Sequence, residues 1–225
     1  MMKKNILFMG RTEDPFSEKI LAHLNTLDSN IVAIYADGHG SKLPAEINNW
    51  RGEYIFCFRS HFILSEKLLA QASVAAINFH PAPPNYRGTG CVNWALYERT
   101  ETYGTTAHLM TKKIDSGSIL NVRRFPISTS DTLQTVLTKT YEYSVFQAKA
   151  VIDSVTLGGP AGVQRLIQQA SSECWAGKVR TMSELEALYQ IPDTADDAEV
   201  ARIVRATKIG KWAPFRLRGG KKLYL

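Results

Sequence analysis

Apolar positions in this chain fall into two patterns that alternate from the start. Ile6 to Met9 is an unbroken apolar run. It is followed by a segment with apolar residues at Phe16, Ile20, Leu21, Leu24 and Leu27, a helical spacing. Asp14 and Pro15 stand where an N-cap and a first-turn proline belong. Ile31 to Tyr35 is again β-rich and closes at Asp37-Gly38. The first 37 residues therefore predict strand–helix–strand, the opening of a parallel α/β sheet. Tyr54 to Phe58 predicts a third strand, Leu64 to Ala72 a helix with Ser65 as N-cap, and Val74 to Asn78 a fourth strand. Continuous rather than alternating apolar runs suit strands covered on both faces. Ligands in such open sheets bind beyond the carboxyl ends of the strands, where Asn78 and His80 fall.

From His80 to Gly90 three prolines and two glycines exclude regular structure. Cys91 to Tyr97 predicts a short helix, Thr105 to Met110 a strand, Asp115-Ser116-Gly117 a turn, and Ile119 to Phe125 a returning strand. Thr129-Ser130-Asp131 is expected to cap a long helix through about Leu157. Gly158-Gly159-Pro160 is the clearest breaker and a candidate boundary, dividing residues 1–157 from a small extension over 158–225. In that extension helices are expected near Val163–Ala170 and Asp197–Ala206, with a polar stretch through 192. A hairpin, Pro214–Arg218 and Lys221–Leu225, turns at Gly219-Gly220. The fold class expected is α/β: a Rossmann-like, mostly parallel sheet flanked by helices, with a C-terminal α+β extension.

Composition narrows the classes. An apolar fraction of 44% and a charged fraction of 21% are those of a globular domain. No run approaches a membrane span, and Ile6 to Met9 is too short for a secretory core, so a cytoplasmic location is the expectation. Cys57, Cys91 and Cys174 are odd in number and lack zinc spacing, which supports neither a disulfide framework nor a metal. The net charge of +6 permits a polyanionic partner. Its densest basic cluster is Lys208, Lys211, Arg216, Arg218, Lys221 and Lys222. No Gly-x-Gly-x-x-Gly follows the first strand and no P-loop occurs.

The chemistry concentrates between Ile77 and Leu120. Asn78 and His80, two apart on an extended segment, point the same way. Asp115 lies in a turn that can approach His80 if its flanking strands join the same sheet. An amide donates to an oxyanion, an imidazole acts as base or donor near neutral pH, and a carboxylate accepts from the other ring nitrogen. No Ser or Cys nucleophile stands beside them, which favours direct transfer. Without wider context an Asn-x-His at a strand end is also compatible with ordinary loop hydrogen bonding.

The stretch Ile77-Asn78-Phe79-His80-Pro81-Ala82-Pro83-Pro84-Asn85-Tyr86-Arg87-Gly88 resembles the Asn-x-His-Pro…Tyr-Arg-Gly motif of folate-dependent formyltransferases. Asp115-Ser116-Gly117-Ser118-Ile119-Leu120 resembles that family's second motif, and Thr105-Thr106-Ala107-His108 stands at its Gly/Thr-rich strand. The likeness covers about residues 3 to 155. It implies Asn78, His80 and Asp115 as catalytic residues and 10-formyltetrahydrofolate as co-substrate, with no metal. Phe58, Arg59, Ser60, His61, Phe62, Met110 and Ile114 are the folate contacts it suggests. His61 and His108 read as structural or pocket-lining.

The family often has Ser-Leu-Leu-Pro where this chain has Ala82-Pro83-Pro84-Asn85, a departure beside the acceptor site. Arg202 to Thr207, Pro214-Phe215 and the final Gly-Gly-Lys-Lys-Leu-Tyr-Leu resemble the end of the sugar N-formyltransferases. The acceptor implied is a nucleotide-linked amino sugar for surface polysaccharide such as O-antigen. Pro83, Tyr86, Arg87, Gly88 and Trp94 are its candidate contacts; Trp212 is a further stacking candidate. The alternatives are another amine (methionyl-tRNA, glycinamide ribonucleotide, an aminoacyl group) or a non-catalytic binding module. Neither nucleic acid nor membrane insertion is expected, and a homodimer is the base-rate assembly.

Overall fold

The computed structural model describes residues 3–225. In chain order the elements are β1 Lys4–Arg11, α1 Pro15–Leu24, β2 Ser29–Ala36, β3 Gly52–Phe58, α2 Glu66–Leu69, β4 Ala72–His80, β5 Arg87–Gly88, α3 Cys91–Tyr97, β6 Thr102–Leu109, β7 Ile119–Pro126, α4 Leu133–Gln169, β8 Val179–Arg180, α5 Met182–Leu188, α6 Asp197–Thr207, β9 Phe215–Arg218 and β10 Lys221–Tyr224. A 3-10 turn over Ala45–Asn49 precedes β3.

The main sheet has the order β2-β1-β3-β4-β6-β7. The first four strands are parallel, and β6 and β7 add antiparallel to β4. This is the α/β, mostly parallel sheet that the apolar runs predict. Alternate residues of each strand feed opposite faces. Ile6, Phe8, Phe56, Phe58, Ile77 and Phe79 pack against α1 and α4. Leu7, Met9, Ile55 and Cys57 pack against Ile47, Phe62, Leu64 and Leu68. The caps follow the chemistry of their residues: Asp14 accepts from the Ser17 amide at 2.8 Å and Ser65 from the Leu68 amide at 3.2 Å.

Two expectations change. The long helix is capped by Thr132, which accepts from the Thr135 amide; Asp131 instead folds back onto Ser128 and pairs with Lys139. As the Gly158-Gly159-Pro160 signal predicts, the helical path breaks at Gly159 (φ 56, ψ −144), and a second helix follows to Gln169. Pro160 has no N–H to lose there. The segment after the kink returns Val163 and Leu166 to the core against the sheet, so packing continues through the point where the sequence suggested a division. The polar stretch before residue 192 holds α5, capped by a Thr181–Glu184 capping box. A third apolar cluster joins α3 and the 82–86 loop to Leu188 and Ala206 of the extension. Among the described residues no helix is long and apolar enough to cross a membrane.

Candidate active site

The geometry of β4 and β6 creates the site. Asn78 and His108 are directly opposed partners in that antiparallel pair, and His80 opposes Thr106. Opposed residues share a face, so one register brings the amide and both imidazoles together. The Asn78 Nδ2 donates to His108 Nε2 at 3.2 Å. His108 Nδ1 donates to the Leu109 carbonyl at 2.8 Å. His80 Nε2 donates to the Tyr86 carbonyl at 2.7 Å, leaving Nδ1 aimed at the carboxylate. Asp115 Oδ1 stands 3.6 Å from both His80 Nδ1 and His108 Nε2.

Asp115 reaches this position on a left-handed residue (φ 45). Its Oδ2 accepts from the Gly88 amide at 2.9 Å. The Arg87 guanidinium donates from Nε to the Asp115 carbonyl at 2.8 Å. Gly117 lets the turn close: a Cβ there would lie 1.8 Å from the Leu109 carbonyl oxygen. The proline-rich loop is held from β6, by Tyr103 Oη donating to the Pro81 carbonyl and Thr106 Oγ1 to that of Ala82.

His80, His108 and Asp115 are 5%, 3% and 7% exposed. Burial lowers the His80 pKa from its ordinary value, against the pull of Asp115 and the Tyr86 carbonyl. Burial alone would raise the Asp115 carboxyl. The imidazoles of His80 and His108 and the Gly88 N–H outweigh it and hold the carboxyl down at about 2. The resting state is thus a neutral His80 with a bare Nδ1 beside an ionised Asp115. One expectation needs correcting: the His80 tautomer is fixed by the Tyr86 carbonyl rather than by Asp115. The carboxylate faces the nitrogen that takes a proton.

The remaining candidates divide. Tyr86, Arg87 and Trp94 line one cavity of about 280 Å³ with Asn85, Cys91, Glu98, Gly177, Lys178 and Arg180. Arg87 is already bound to the Asp115 loop. Trp94 is 7% exposed and lies under the Arg180 guanidinium at 4.0 Å; Tyr86 Oη donates to Glu98 at 2.8 Å. These groups therefore serve as walls rather than free stacking platforms. Pro83 is buried in the loop, and Gly88 contributes its amide to Asp115. Trp212 is exposed in the turn before β9, joined to Ile209.

Of the folate candidates, Phe58 is fully buried against Phe79. Arg59 turns away to pair with Asp14 at 3.1 Å and stack on Tyr141. His61 stacks on His39 at 4.3 Å between centroids, and the Ser60 hydroxyl accepts from the Phe62 amide. Met110 packs beside Phe62 and Leu64. Lys112 reaches Glu66 at 3.3 Å, so the 58–65 and 110–115 loops meet. Ile63 and Ile114 stand exposed on them.

Two contributors escaped the sequence reading. His108 read as lining, yet it sits between Asn78 and Asp115; only the strand register shows this. Trp175 lies edge-on to both imidazoles, with centroids 4.9 Å from His108 and 5.9 Å from His80. No periodic or motif signal marks it.

The α/β sheet thus ends in an amide, two imidazoles and a carboxylate, a constellation suited to group transfer, and the Cys91 thiol beside His80 is buried and bonded to the Tyr86 and Gly88 carbonyls. A family model described as formyl transferase matches residues 16–151, more than half of the chain. The chain belongs to the formyl transferase family.

The bifunctional polymyxin resistance protein ArnA of Wigglesworthia glossinidia brevipalpis is 38% identical over 106 residues, 43% of this chain and 16% of that protein. The match thus spans a small part of that relative's length. The structure of a 4-N formyltransferase from Francisella tularensis superposes with a TM-score of 0.78 at 15% identity, covering 99% of this chain and 96% of that one. An N-formyltransferase from Helicobacter canadensis, in complex with folinic acid and dTDP-3-aminofucose, gives 0.69 at 16% identity, over 91% and 80%. At these identities the likeness is one of fold.

Proposed function

We propose that the chain transfers a formyl group from 10-formyltetrahydrofolate to the amine of a nucleotide-linked amino sugar, a step suited to surface polysaccharide synthesis. The observation that carries the transfer reading is the Asp115 carboxylate placed equally near the His80 and His108 imidazoles, with the Asn78 amide alongside. The folate fits the place where the 58–65 and 110–115 loops meet. That seam offers apolar lips in Ile63 and Ile114. The co-substrate supplies the activated formyl carbon.

The residues do the rest. One Asn78 N–H is engaged by His108, and the other is free for the oxygen that gains negative charge. Losing such a donor commonly costs about 10²–10³ in rate. His80 Nδ1, neutral at rest, takes the proton that the attacking amine releases. Asp115, ionised throughout, stabilises the imidazolium until the proton passes to the departing nitrogen. Asn78, His80 and Asp115 are thus the catalytic residues of this reading, with His108 orienting the amide.

The acceptor reading draws support from the match to nearly the whole length of the Francisella 4-N formyltransferase, and from the dTDP-3-aminofucose bound by the Helicobacter enzyme. In this chain the cavity beside Cys91 gathers Lys178, Arg180 and Arg87. Such positive charge suits the phosphate-bearing side of a nucleotide sugar. The test is incubation with 10-formyltetrahydrofolate and a panel of nucleotide-linked amino sugars, read by mass. A gain of one formyl group on a panel member is expected. Formylation of methionyl-tRNA or glycinamide ribonucleotide, with every sugar unchanged, would sink the acceptor assignment.

A further inference from the structure

We infer that Trp175 is a positioning residue that roofs the reacting centre and keeps water from competing with the amine for the formyl carbon. The inference rests on the formyl-transfer reading but on no particular acceptor.

Trp175 does not sit there by chance of a loose loop. Its indole N–H donates to the Gly117 carbonyl at 2.7 Å, inside the turn that carries Asp115. Its ring meets the His108 imidazole at 89° and that of His80 at 61°. The Arg87 guanidinium lies 5.8 Å from its centroid on a further side. The strap that bears it is fastened at every step. Glu173 is held by both terminal nitrogens of Arg124 on β7, at 2.6 and 2.7 Å. The Ala176 amide donates to the Pro84 carbonyl at 3.1 Å, and the Thr89 amide to the Arg180 carbonyl at 2.9 Å. Residues 179–180 pair with 87–88. Gly177, at φ 67, passes so close to the 82–90 loop that a Cβ would lie 2.7 Å from the Asn85 carbonyl oxygen. The strap thus crosses the two motif loops and delivers one large apolar ring onto the edges of the two imidazoles.

The chemistry needs such a roof. Water and an amine attack the same carbon. In the productive branch the amine nitrogen bonds to the formyl carbon, the carbon–N10 bond breaks, and the amine's proton ends on N10. In the wasteful branch a water oxygen forms the new bond, the same carbon–N10 bond breaks, N10 takes a proton and formate leaves. Excluding water suppresses the second branch without help to the first. The same exclusion explains why His80 is neutral. The charged and titratable groups that face it are Asp115 from the β6–β7 loop, His108 from β6, Arg87 from β5 and Cys91 from α3. The desolvation that prevails over them depends on what covers the ring.

The test compares the full-length chain with Trp175→Ala and Trp175→Phe. With 10-formyltetrahydrofolate and no acceptor, Trp175→Ala is expected to release formate about tenfold faster than wild type, and Trp175→Phe close to wild type. Equal rates in all three overturn the inference. Histidine NMR titration gives a second reading that needs no turnover. The His80 resonance, assigned by its loss in His80→Gln, is expected to titrate at higher pH in Trp175→Ala and to return in Trp175→Phe. An unmoved His80 in Trp175→Ala also overturns it. If Trp175→Ala does not fold, Trp175→Leu takes its place in both measurements, since leucine fills less of the roof. If the wild type transfers formyl to no acceptor and none of the proteins releases formate, the transfer reading fails and the titration alone decides the roof.

Discussion

Asp115→Asn tests the charge logic of the site with almost no change of shape. The amide oxygen can still accept from the Gly88 N–H that now bonds Oδ2 at 2.9 Å, so the turn is kept. What disappears is a full negative charge 3.6 Å from His80 Nδ1. A pair of unit charges at that distance interacts by about 4–5 kcal/mol at an effective dielectric of about 20. That interaction exists only while the imidazolium carries the proton, so the loss falls on the transition state. The turnover number is expected to drop about 10³-fold, with folate affinity little changed. The amide also presents N–H groups to Nδ1 and so blocks the lone pair. Stability changes less. Against burial, what holds the carboxyl down is chiefly His80 in its charged form; His80 is neutral at rest, so at neutral pH the carboxylate keeps mainly its bond from the Gly88 amide. Removing that charge is expected to lower Tm by no more than about 2–4 °C. The assay is pre-steady-state formation of tetrahydrofolate beside a thermal melt. A folded Asp115→Asn with a rate within about tenfold of wild type would refute the proton-transfer role and leave the carboxylate merely structural.

Other consequences can be checked more briefly. Gly117→Ala would place a methyl 1.8 Å from the Leu109 carbonyl oxygen, so the Asp115 turn must open; a loss of about 1–3 kcal/mol in denaturant unfolding, with activity abolished, is expected. In native protein a maleimide should modify Cys174 alone, because Cys57 and Cys91 are buried and burial pushes Cys57 up to about 12 and Cys91 higher still; mass spectrometry showing more than one adduct before denaturation would contradict the packing. Acid should destabilise the fold in two stages. His80, lowered on folding, is protonated first in the unfolded chain, so stability falls as pH drops below about 6.5. Asp115, also lowered on folding, removes more as pH falls through 3.8 toward 2. Urea midpoints that rise on acidification across either window would reverse the sign of the argument.

The sheet was legible because its information is local. Unbroken apolar runs such as Ile6–Met9 and Tyr54–Phe58 mark strands buried on both faces, and Asp14-Pro15 and Ser65 mark where helices begin. The site was half legible. Asn78 and His80 announce a shared direction by their spacing, and Asp115 stands in a recognisable turn. Register is a different kind of fact. That His108 opposes Asn78 depends on how β6 aligns against β4, and no residue near His108 states it. Trp175 is less visible again, since its place depends on a strap fixed by backbone bonds from Pro84, Thr89 and Gly117. The end of the long helix was legible because its signal is local too. Gly158-Gly159-Pro160 reads as a stop, and the backbone does break there. Val163 and Leu166 have a core to return to, so the second helix expected there packs back against the sheet.

The bond from His80 Nε2 to the Tyr86 carbonyl joins two matters that are usually considered apart. The carbonyl belongs to the same loop whose Ala82-Pro83-Pro84-Asn85 sequence departs from the family habit and whose Tyr86 and Arg87 wall the cavity beside the site. A loop residue that shifts to admit a different acceptor therefore also shifts the atom that holds the base in its tautomer. Pulling that carbonyl away frees the Nε2 proton, and the neutral ring can then turn its N–H toward Asp115 instead, leaving no lone pair for the amine's proton. Two prolines limit the backbone dihedrals of this segment, and Tyr103 and Thr106 bind the carbonyls of Pro81 and Ala82 from the strand below. Acceptor choice and basicity are in this way properties of one stiff piece of chain. Changes of specificity made within it should alter the turnover number as well as KM, whereas changes at Lys178 or Arg180, across the cavity, should act on KM alone.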